Sequence, residues 1–121
     1  MKKVAILGST GSIGENTLRV IAENPDRFEV VALAAGSNWE RLAQQAREFS
    51  PELVSIADSG NAANLKKSSG VKVLSGGGGL REVAAGMGAD IVVSALVGAA
   101  GLDPTLAAIE AGATIALANK E

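Results

Sequence analysis

The chain has 121 residues and a mass of 12.1 kDa, which is enough for one hydrophobic core and too little for two domains. It contains no Cys and no His, which excludes disulfide scaffolds, thiolate catalysis and imidazole metal sites, and 47% hydrophobic with 20% charged residues indicates a soluble globular protein. A net charge of −2 and 2% aromatic residues argue against nucleic acid or a membrane as the main partner.

The first apolar run, residues 4–7, follows Met1, Lys2 and Lys3 and is interrupted by Gly8. It is too short for an export signal or a membrane span, so we expect a cytoplasmic protein. Five further runs of strand length are continuous rather than alternating, which is typical of parallel strands covered on both faces. The six predicted strands are residues 4–7, 30–34, 53–56, 71–74, 91–93 and 114–117.

Amphipathic segments of helix length separate these runs. The first predicted helix is stopped by Pro25 and the second by residues 50–51, Ser-Pro. Two further helices, near residues 60–68 and 79–87, are rich in Ser, Gly and Ala. In the last one we expect Asp103 as N-cap, Pro104 at the first helical position and Gly112 at the end.

This order of elements predicts an α/β fold, a Rossmann-like doubly wound sheet that is mostly parallel and carries helices on both faces. We expect it to form one domain over residues 1–121, without repeats or linkers. In such sheets ligands bind outside the carboxyl ends of the strands, where the strand order reverses. Every candidate motif should therefore lie at the end of a strand.

Residues 8–14, Gly-Ser-Thr-Gly-Ser-Ile-Gly, follow the first strand and open the first helix. In this GxxGxxG spacing Gly8 allows a tight turn, Gly11 lets the backbone approach a pyrophosphate, and Gly14 lets helix and strand pack closely. Amides near Thr10 to Ile13 would point at the phosphates. A plain glycine-rich turn is the alternative, but the order of strand, loop and helix favours a dinucleotide site.

The end of the second strand favours NADP over NAD. An NAD site usually has an acidic residue there that binds the ribose hydroxyls, whereas this chain has Gly36, Ser37 and Asn38, with Arg41 close by in sequence. Nothing in this turn repels a 2′-phosphate. Asn38 also fits the N-cap of the following helix, and both roles are compatible.

Other segments leave two interpretations open. Trp39, the single Trp, packs at a helix start more often than it stacks on adenine. Residues 76–79, four glycines, favour a flexible connection over an anion nest. The small residues at 94–101 either make room for a nicotinamide or form an ordinary loop, and Asn119, Lys120 and Glu121 either orient a ligand or end in solvent.

Three segments together resemble 1-deoxy-D-xylulose 5-phosphate reductoisomerase. They are residues 8–18, GSTGSIGENTL, residues 98–102, GAAGL with Pro104 and Thr105, and residues 117–121, LANKE. The resemblance runs the length of the chain and implies an NADPH-dependent enzyme with a divalent metal, Mg or Mn. It implies conversion of 1-deoxy-D-xylulose 5-phosphate to 2-C-methyl-D-erythritol 4-phosphate in non-mevalonate isoprenoid biosynthesis.

Carried over by position, the resemblance implies that Lys120 touches the sugar-phosphate substrate. Ser37 stands where some family members carry a basic residue, which weakens the expected charge complementarity to the 2′-phosphate. From the loop and the resemblance together, the predicted cofactor-binding residues are Gly8, Thr10, Gly11, Ser12, Ile13, Gly14, Gly36, Ser37, Asn38, Asn119 and Glu121.

Members of this family are roughly three times longer, and their metal-binding carboxylates and active-site lid lie beyond residue 121. We therefore expect the chain to be the N-terminal cofactor domain of a longer, homodimeric enzyme, with no catalytic or metal-binding residue of its own and no activity alone. Three alternatives remain open. They are a stand-alone NAD(P)-sensing module, the cofactor domain of another NADP-linked dehydrogenase, and a structural domain with a vestigial loop.

Overall fold

The computed structural model of the chain describes residues 1–96 and 102–117. Within these residues the strands are β1 (Lys2–Leu7), β2 (Phe28–Ala35), β3 (Leu53–Ile56), β4 (Lys72–Ser75), β5 (Ile91–Ser94) and β6 (Thr114–Leu117). The helices are α1 (Ser12–Ala22), α2 (Trp39–Phe49), α3 (Ala62–Ser69), α4 (Gly76–Arg81) and α5 (Leu102–Glu110). A short 3₁₀ turn, Ser59–Asn61, precedes α3, and a π-helical turn, Glu82–Gly86, continues α4.

The described strands form a single sheet in the order β4-β3-β2-β1-β5-β6, with every neighbouring pair parallel. Strand β1 is central and pairs with β2 on one side and with β5 on the other. The chain moves outward from β1 to β4 and then crosses back to β5, so the strand order reverses between β1 and β5. This is the doubly wound α/β fold that the alternating pattern predicts.

Two apolar layers cover the sheet, one on each face. On one face, alternate residues of β1 such as Val4 and Ile6 pack with Leu18 of α1 and Leu42 of α2. On the opposite face, Ala5 and Leu7 pack with residues of the π-helical turn and of α5. Burial on both faces explains why the strands are continuous apolar runs in the sequence.

Three helix ends lie where the sequence predicts them. Helix α1 ends three residues before Pro25, and α2 ends at Phe49, followed by Ser50 with φ +50° and then Pro51. Gly112, just after α5, has φ +90°. The Gly112 N–H donates to the Ile109 carbonyl, and the Ala113 N–H donates to the Ala108 carbonyl. These two bonds form a Schellman motif, which favours glycine at this position.

Two local predictions are wrong. Helix α5 begins at Leu102, so Asp103 is its second residue and not its N-cap. Pro104 still lies in the first turn, where an amide has no intrahelical acceptor, so the longer helix tolerates it. The glycines at 76–79 form neither a flexible connection nor an anion nest, because they are the first turn of α4. A Cβ on Gly79 would overlap the Ser55 hydroxyl and lie 2.9 Å from the Leu74 Cβ, so glycine lets α4 approach the sheet.

Helices that could cross a lipid bilayer are absent from residues 1–96 and 102–117, since none combines the required length with the required apolarity.

Candidate functional site

The glycine loop lies at the carboxyl end of the central strand, beside the point where the strand order reverses. The Ala95 N–H, just after β5, donates to the Leu7 carbonyl at 2.9 Å. A Cβ on Gly8 would lie 3.3 Å from the Ala95 carbonyl carbon and oxygen. The ends of β1 and β5 therefore meet closely, at the place where doubly wound sheets bind nucleotides.

Two backbone bonds fix the start of the loop on β2. The N–H groups of Gly8 and Ser9 both donate to the Ala34 carbonyl, at 2.8 and 2.9 Å. Gly8 has φ +87°, a conformation that residues with a Cβ rarely adopt. The sharp turn predicted for this glycine is present, and it directs the chain from the strand into α1.

The other two loop glycines stand in different surroundings. A Cβ on Gly14 would overlap the Gly8 carbonyl oxygen and lie 2.6 Å from the Ser9 Cα, so only glycine lets α1 pack on the loop. On Gly11 the nearest atom to a Cβ would be the Gly8 oxygen at 3.7 Å, an ordinary contact. Packing within the chain therefore requires glycine at position 14. It does not require glycine at position 11, where a Cβ would make only an ordinary contact.

Helix α1 begins without a side-chain cap. Its N-cap is Gly11, which has no side chain to offer, and the first amide of the helix with an acceptor is that of Glu15, which donates to the Gly11 carbonyl at 2.8 Å. Within residues 1–96 and 102–117, no acceptor bonds the amides of Ser12, Ile13 or Gly14. Such donors, together with the positive end of the helix dipole, are suited to bind an anion.

Helix α2 begins in the opposite way, with its cap in place. The Asn38 side-chain oxygen accepts from the Arg41 N–H at 3.2 Å, so the predicted N-cap role of Asn38 is present. Gly36, Ser37 and Asn38 are exposed, and a Cβ on Gly36 would meet nothing within 4 Å. Trp39 starts the helix half-buried and packs on the core.

One carboxylate comes near this turn from the next strand. The Asp58 N–H donates to the Gly36 carbonyl at 3.2 Å. The Asp58 side-chain oxygens accept from the Gly60 N–H and from the Asn61 amide, each at 3.0 Å. Asp58 is thus engaged in capping the 3₁₀ turn, and the turn at 36–38 itself carries no acid.

An ion pair joins the first turns of α1 and α2. The Arg41 guanidinium makes two bonds to the Glu15 carboxylate, Nε to Oε2 at 2.6 Å and the terminal nitrogen to Oε1 at 2.7 Å. Hydrogen bonding and charge from Arg41 lower the pKa of the Glu15 carboxyl, and Glu15 raises the pKa of Arg41. Arg41 therefore neutralises a carboxylate that would otherwise lie unpaired beside the open amides of α1.

We expect this pair to add a small acid-sensitive increment to stability. Because the Glu15 pKa is lower in the folded chain, the increment is present above the ordinary Glu pKa and is lost as pH falls through the folded value. Both side chains are about one-third exposed, so its size is below about 1 kcal/mol. Urea unfolding from pH 7 to pH 3 should show a wild-type advantage over Glu15→Gln that disappears in acid.

The matched control is Glu52→Gln, which removes an exposed carboxylate that has no ion-pair partner among residues 1–96 and 102–117. Its difference from wild type should stay near zero across the same range. An advantage over Glu15→Gln that grows as pH falls would contradict the expected sign.

An apolar cleft of about 370 Å³ opens at the same edge of the sheet, next to the turn at 36–38. It lies between the ends of β2, β3 and β4, with Leu96 after β5 on its far side. Among the lining residues that the structure describes, Ser55 contributes the only polar side chain. The lining residues are Ala34, Ala35, Gly36, Ser55, Ala57, Gly76, Gly77, Leu80 and Leu96. A cleft of small apolar side chains suits a flat, largely apolar group such as a purine base.

The structure brings together the two predicted parts of the site that it describes. The loop at 8–14 and the turn at 36–38 follow neighbouring strands, and Leu7 pairs with Ala34 in the sheet register. Two other parts of the prediction lie outside the described residues. They are Asn119, Lys120 and Glu121, and residues 97–101 of the segment 94–101. Within the described part, no group of three or more acidic side chains is arranged to hold a metal ion.

Sequence reasoning did not single out Gln45 or the cleft-lining Ser55 and Leu80. It included Glu15 and Leu96 only within the segments 8–18 and 94–101, and gave neither a role of its own. The helical spacing could have indicated Gln45, because this polar residue lies three positions after Leu42 and so on the buried side of α2. The Gln45 amide donates to the Ser9 carbonyl at 2.9 Å. The cleft gave no such signal, since its walls come from four separate segments of ordinary apolar sequence.

Known proteins resemble this chain over its whole length. Residues 4–121 match the family model of 1-deoxy-D-xylulose 5-phosphate reductoisomerase. Relatives with that name include proteins from Chlorobaculum tepidum, 55% identical over all of this chain, and Geotalea uraniireducens, 53% identical over all of it. A chloroplastic relative from Mentha piperita is 50% identical over 99% of the chain. The chain spans about a third of the length of these relatives, 32%, 32% and 27%.

Solved structures give the same result. The reductoisomerase from Zymomonas mobilis in complex with NADPH has a TM-score of 0.91 and 44% identity, covering 98% of this chain and 32% of that one. A DOX-P reductoisomerase in complex with NADPH, fosmidomycin and magnesium has a TM-score of 0.92 and 44% identity, covering 100% of this chain and 31% of that one. With the family model matched from residue 4 to residue 121, the chain belongs to the 1-deoxy-D-xylulose 5-phosphate reductoisomerase family.

Proposed function

We propose that this chain is the NADPH-binding domain of a 1-deoxy-D-xylulose 5-phosphate reductoisomerase. The observation that carries the proposal is the start of α1, where three amides follow the central strand without an acceptor in residues 1–96 and 102–117, and Gly11 leaves their approach open. A pyrophosphate satisfies such donors and is attracted by the helix dipole. Family membership favours this function over the cofactor domain of an unrelated dehydrogenase.

The residues present fit NADPH in three regions. The pyrophosphate would bind the amides of Ser12 to Gly14, with the hydroxyls of Thr10 and Ser12 beside them. The 2′-phosphate would lie at the exposed turn formed by Gly36, Ser37 and Asn38, and the adenine in the apolar cleft. In this proposal the chain binds and orients the cofactor and keeps water from its adenine end.

NADPH supplies a hydride when it is bound, and the protein's contribution here is to hold the nicotinamide end in position. Asn119 and Glu121 are proposed as further cofactor contacts and Lys120 as a contact to the sugar phosphate. Residues 1–96 and 102–117 gather no acidic cluster that would hold Mg or Mn, so a metal ion does not fit this part of the chain. For the whole enzyme we propose conversion of 1-deoxy-D-xylulose 5-phosphate to 2-C-methyl-D-erythritol 4-phosphate, in a cytoplasmic homodimer.

A paired titration with NADPH and NADH tests the cofactor. We expect NADPH to bind at least tenfold more tightly, which corresponds to about 1.4 kcal/mol. Calorimetry gives both affinities. Trp39 emission is an independent readout, since this side chain starts α2 directly after the proposed 2′-phosphate turn.

The control variant is Ser37→Asp, which places a carboxylate at the exposed turn. It should weaken NADPH binding and leave NADH binding nearly unchanged, because only NADPH carries the 2′-phosphate. Equal affinity of the wild type for both nucleotides would contradict the NADPH preference, and binding of neither would contradict the cofactor role of the chain.

A further inference from the structure

Gln45 is a fully buried polar residue on the face of α2 that packs on the sheet. Its neighbours on that face are Leu42, three residues earlier, and Phe49, four residues later. A buried amide is costly unless hydrogen bonds compensate it, and an aliphatic side chain would fill such a position without that cost. Packing alone therefore does not explain why a glutamine stands at this position.

The contacts of Gln45 lead directly to the phosphate loop. The Gln45 Nε2 donates to the Ser9 carbonyl at 2.9 Å, and Ser9 is itself fully buried. The Ser9 N–H bonds to the Ala34 carbonyl of β2, so the loop is held at this residue from the sheet and from α2 at once. In the first turn of α1, hydrogen bonding from Arg41 is the main cause of the lowered pKa of the Glu15 carboxyl, and Gln45 makes the smallest contribution.

The hydrogen bond to Ser9 requires one orientation of the Gln45 amide, and buried polar atoms nearby stay unpaired. Turning the amide over would set its oxygen against the Ser9 carbonyl oxygen, so the donor must face the loop. The Gln45 Oε1 and the Ser9 hydroxyl oxygen are both buried without a hydrogen-bond partner in the part of the chain that the structure describes. Because the Gln45 Oε1 stays unpaired within the described residues, this contact is poorly explained as a device for stability.

We propose that Gln45 acts through the Ser9 carbonyl as a positioning residue for the dinucleotide. Holding that carbonyl fixes the peptide that leads into residues 10–14 and so keeps the amides of Ser12 to Gly14 aimed at one point. The inference rests on the proposed NADPH-binding function. It assigns to α2, which lies beside the 2′-phosphate turn, a second role in shaping the pyrophosphate site.

The test uses Gln45→Met, which keeps the length of the side chain and removes its donor. Loss of one hydrogen bond's contribution predicts roughly three- to tenfold weaker binding. NADPH and NADH should lose affinity by the same factor, because they share the pyrophosphate. Hydrogen exchange measured by NMR should become faster at the hydrogen-bonded amides of the loop, those of Ser9, Gly11 and Glu15, while the thermal midpoint stays equal or rises.

The matched control is Ala46→Gly, one residue further along α2, which weakens the helix without touching the loop. It should lower the thermal midpoint and leave both affinities and loop exchange unchanged. Equal affinities and equal loop exchange in Gln45→Met and wild type would overturn the proposal. An affinity loss in both variants that is proportional to the fall in their thermal midpoints would also overturn it. If the wild type binds neither nucleotide, the proposed function fails first, and this result is distinguishable because it needs no variant.

Discussion

Replacing Gly14 with alanine is expected to lower the free energy of unfolding by about 3 kcal/mol, at the upper end of ordinary overpacking costs. The added Cβ would overlap the Gly8 carbonyl oxygen and lie 2.6 Å from the Ser9 Cα, and both neighbours are backbone atoms. The backbone has little freedom to move there, since the amides of Gly8 and Ser9 are bonded to β2. Urea unfolding measures the loss, and nucleotide binding should fall with it because the loop must shift.

Gly36→Ala is the control for this variant. It adds the same methyl group at a position with negative φ where nothing lies within 4 Å, so stability should change by less than about 1 kcal/mol. A Gly14→Ala chain as stable as Gly36→Ala would show that α1 does not need the close approach seen here.

The second large effect is expected at Gly11 and concerns binding rather than folding. Gly11→Ala should weaken NADPH binding by about 2 kcal/mol, roughly thirtyfold, because the Cβ would stand between the pyrophosphate and the backbone. Stability should change by less than about 1 kcal/mol, since the residue has φ −81° and the nearest atom would be 3.7 Å from the new Cβ. Calorimetric titration together with urea unfolding separates the two quantities.

Gly78→Ala gives the comparison for Gly11→Ala, because a Cβ on Gly78 meets nothing within 4 Å and the residue lies in α4, outside the loop. It should bind NADPH like the wild type. NADPH binding by Gly11→Ala with unchanged affinity would contradict a close approach of the pyrophosphate to this part of the loop.

These two glycines show what the sequence pattern could and could not predict. The GxxGxxG spacing after a buried run predicted the turn at Gly8 and the close packing at Gly14, and both are present. The pattern does not distinguish a glycine required by the chain from one required by a ligand. That distinction needs the coordinates of neighbouring backbone, which come from residues far apart in sequence.

The strands were predictable because each is buried on both faces, so its composition alone marks it. The helix predicted near residues 79–87 is present, as α4 and the π-helical turn that continues it. Its start at Gly76 was not predictable, because four successive glycines have low helix propensity and this turn forms where Gly79 packs against Ser55 and Leu74. The start of α5 was misplaced for a related reason. Asp103 and Pro104 fit a helix start in isolation, and the preceding Leu102 carries no local signal that it already belongs to the helix.

The position of β1 in the sheet has a consequence for how the chain folds during synthesis. Its partner β2 follows within about one helix, but its other partner is β5, and the contact between the Lys3 N–H and the Asp90 carboxylate spans 87 residues. Until β5 leaves the ribosome, β1, whose residues Val4–Leu7 are all buried in the finished sheet, has one edge without a pairing strand. Such edges favour aggregation, and late, long-range pairing slows folding. Pairing with β5 therefore covers the second edge of β1 only after the first ninety residues have been made.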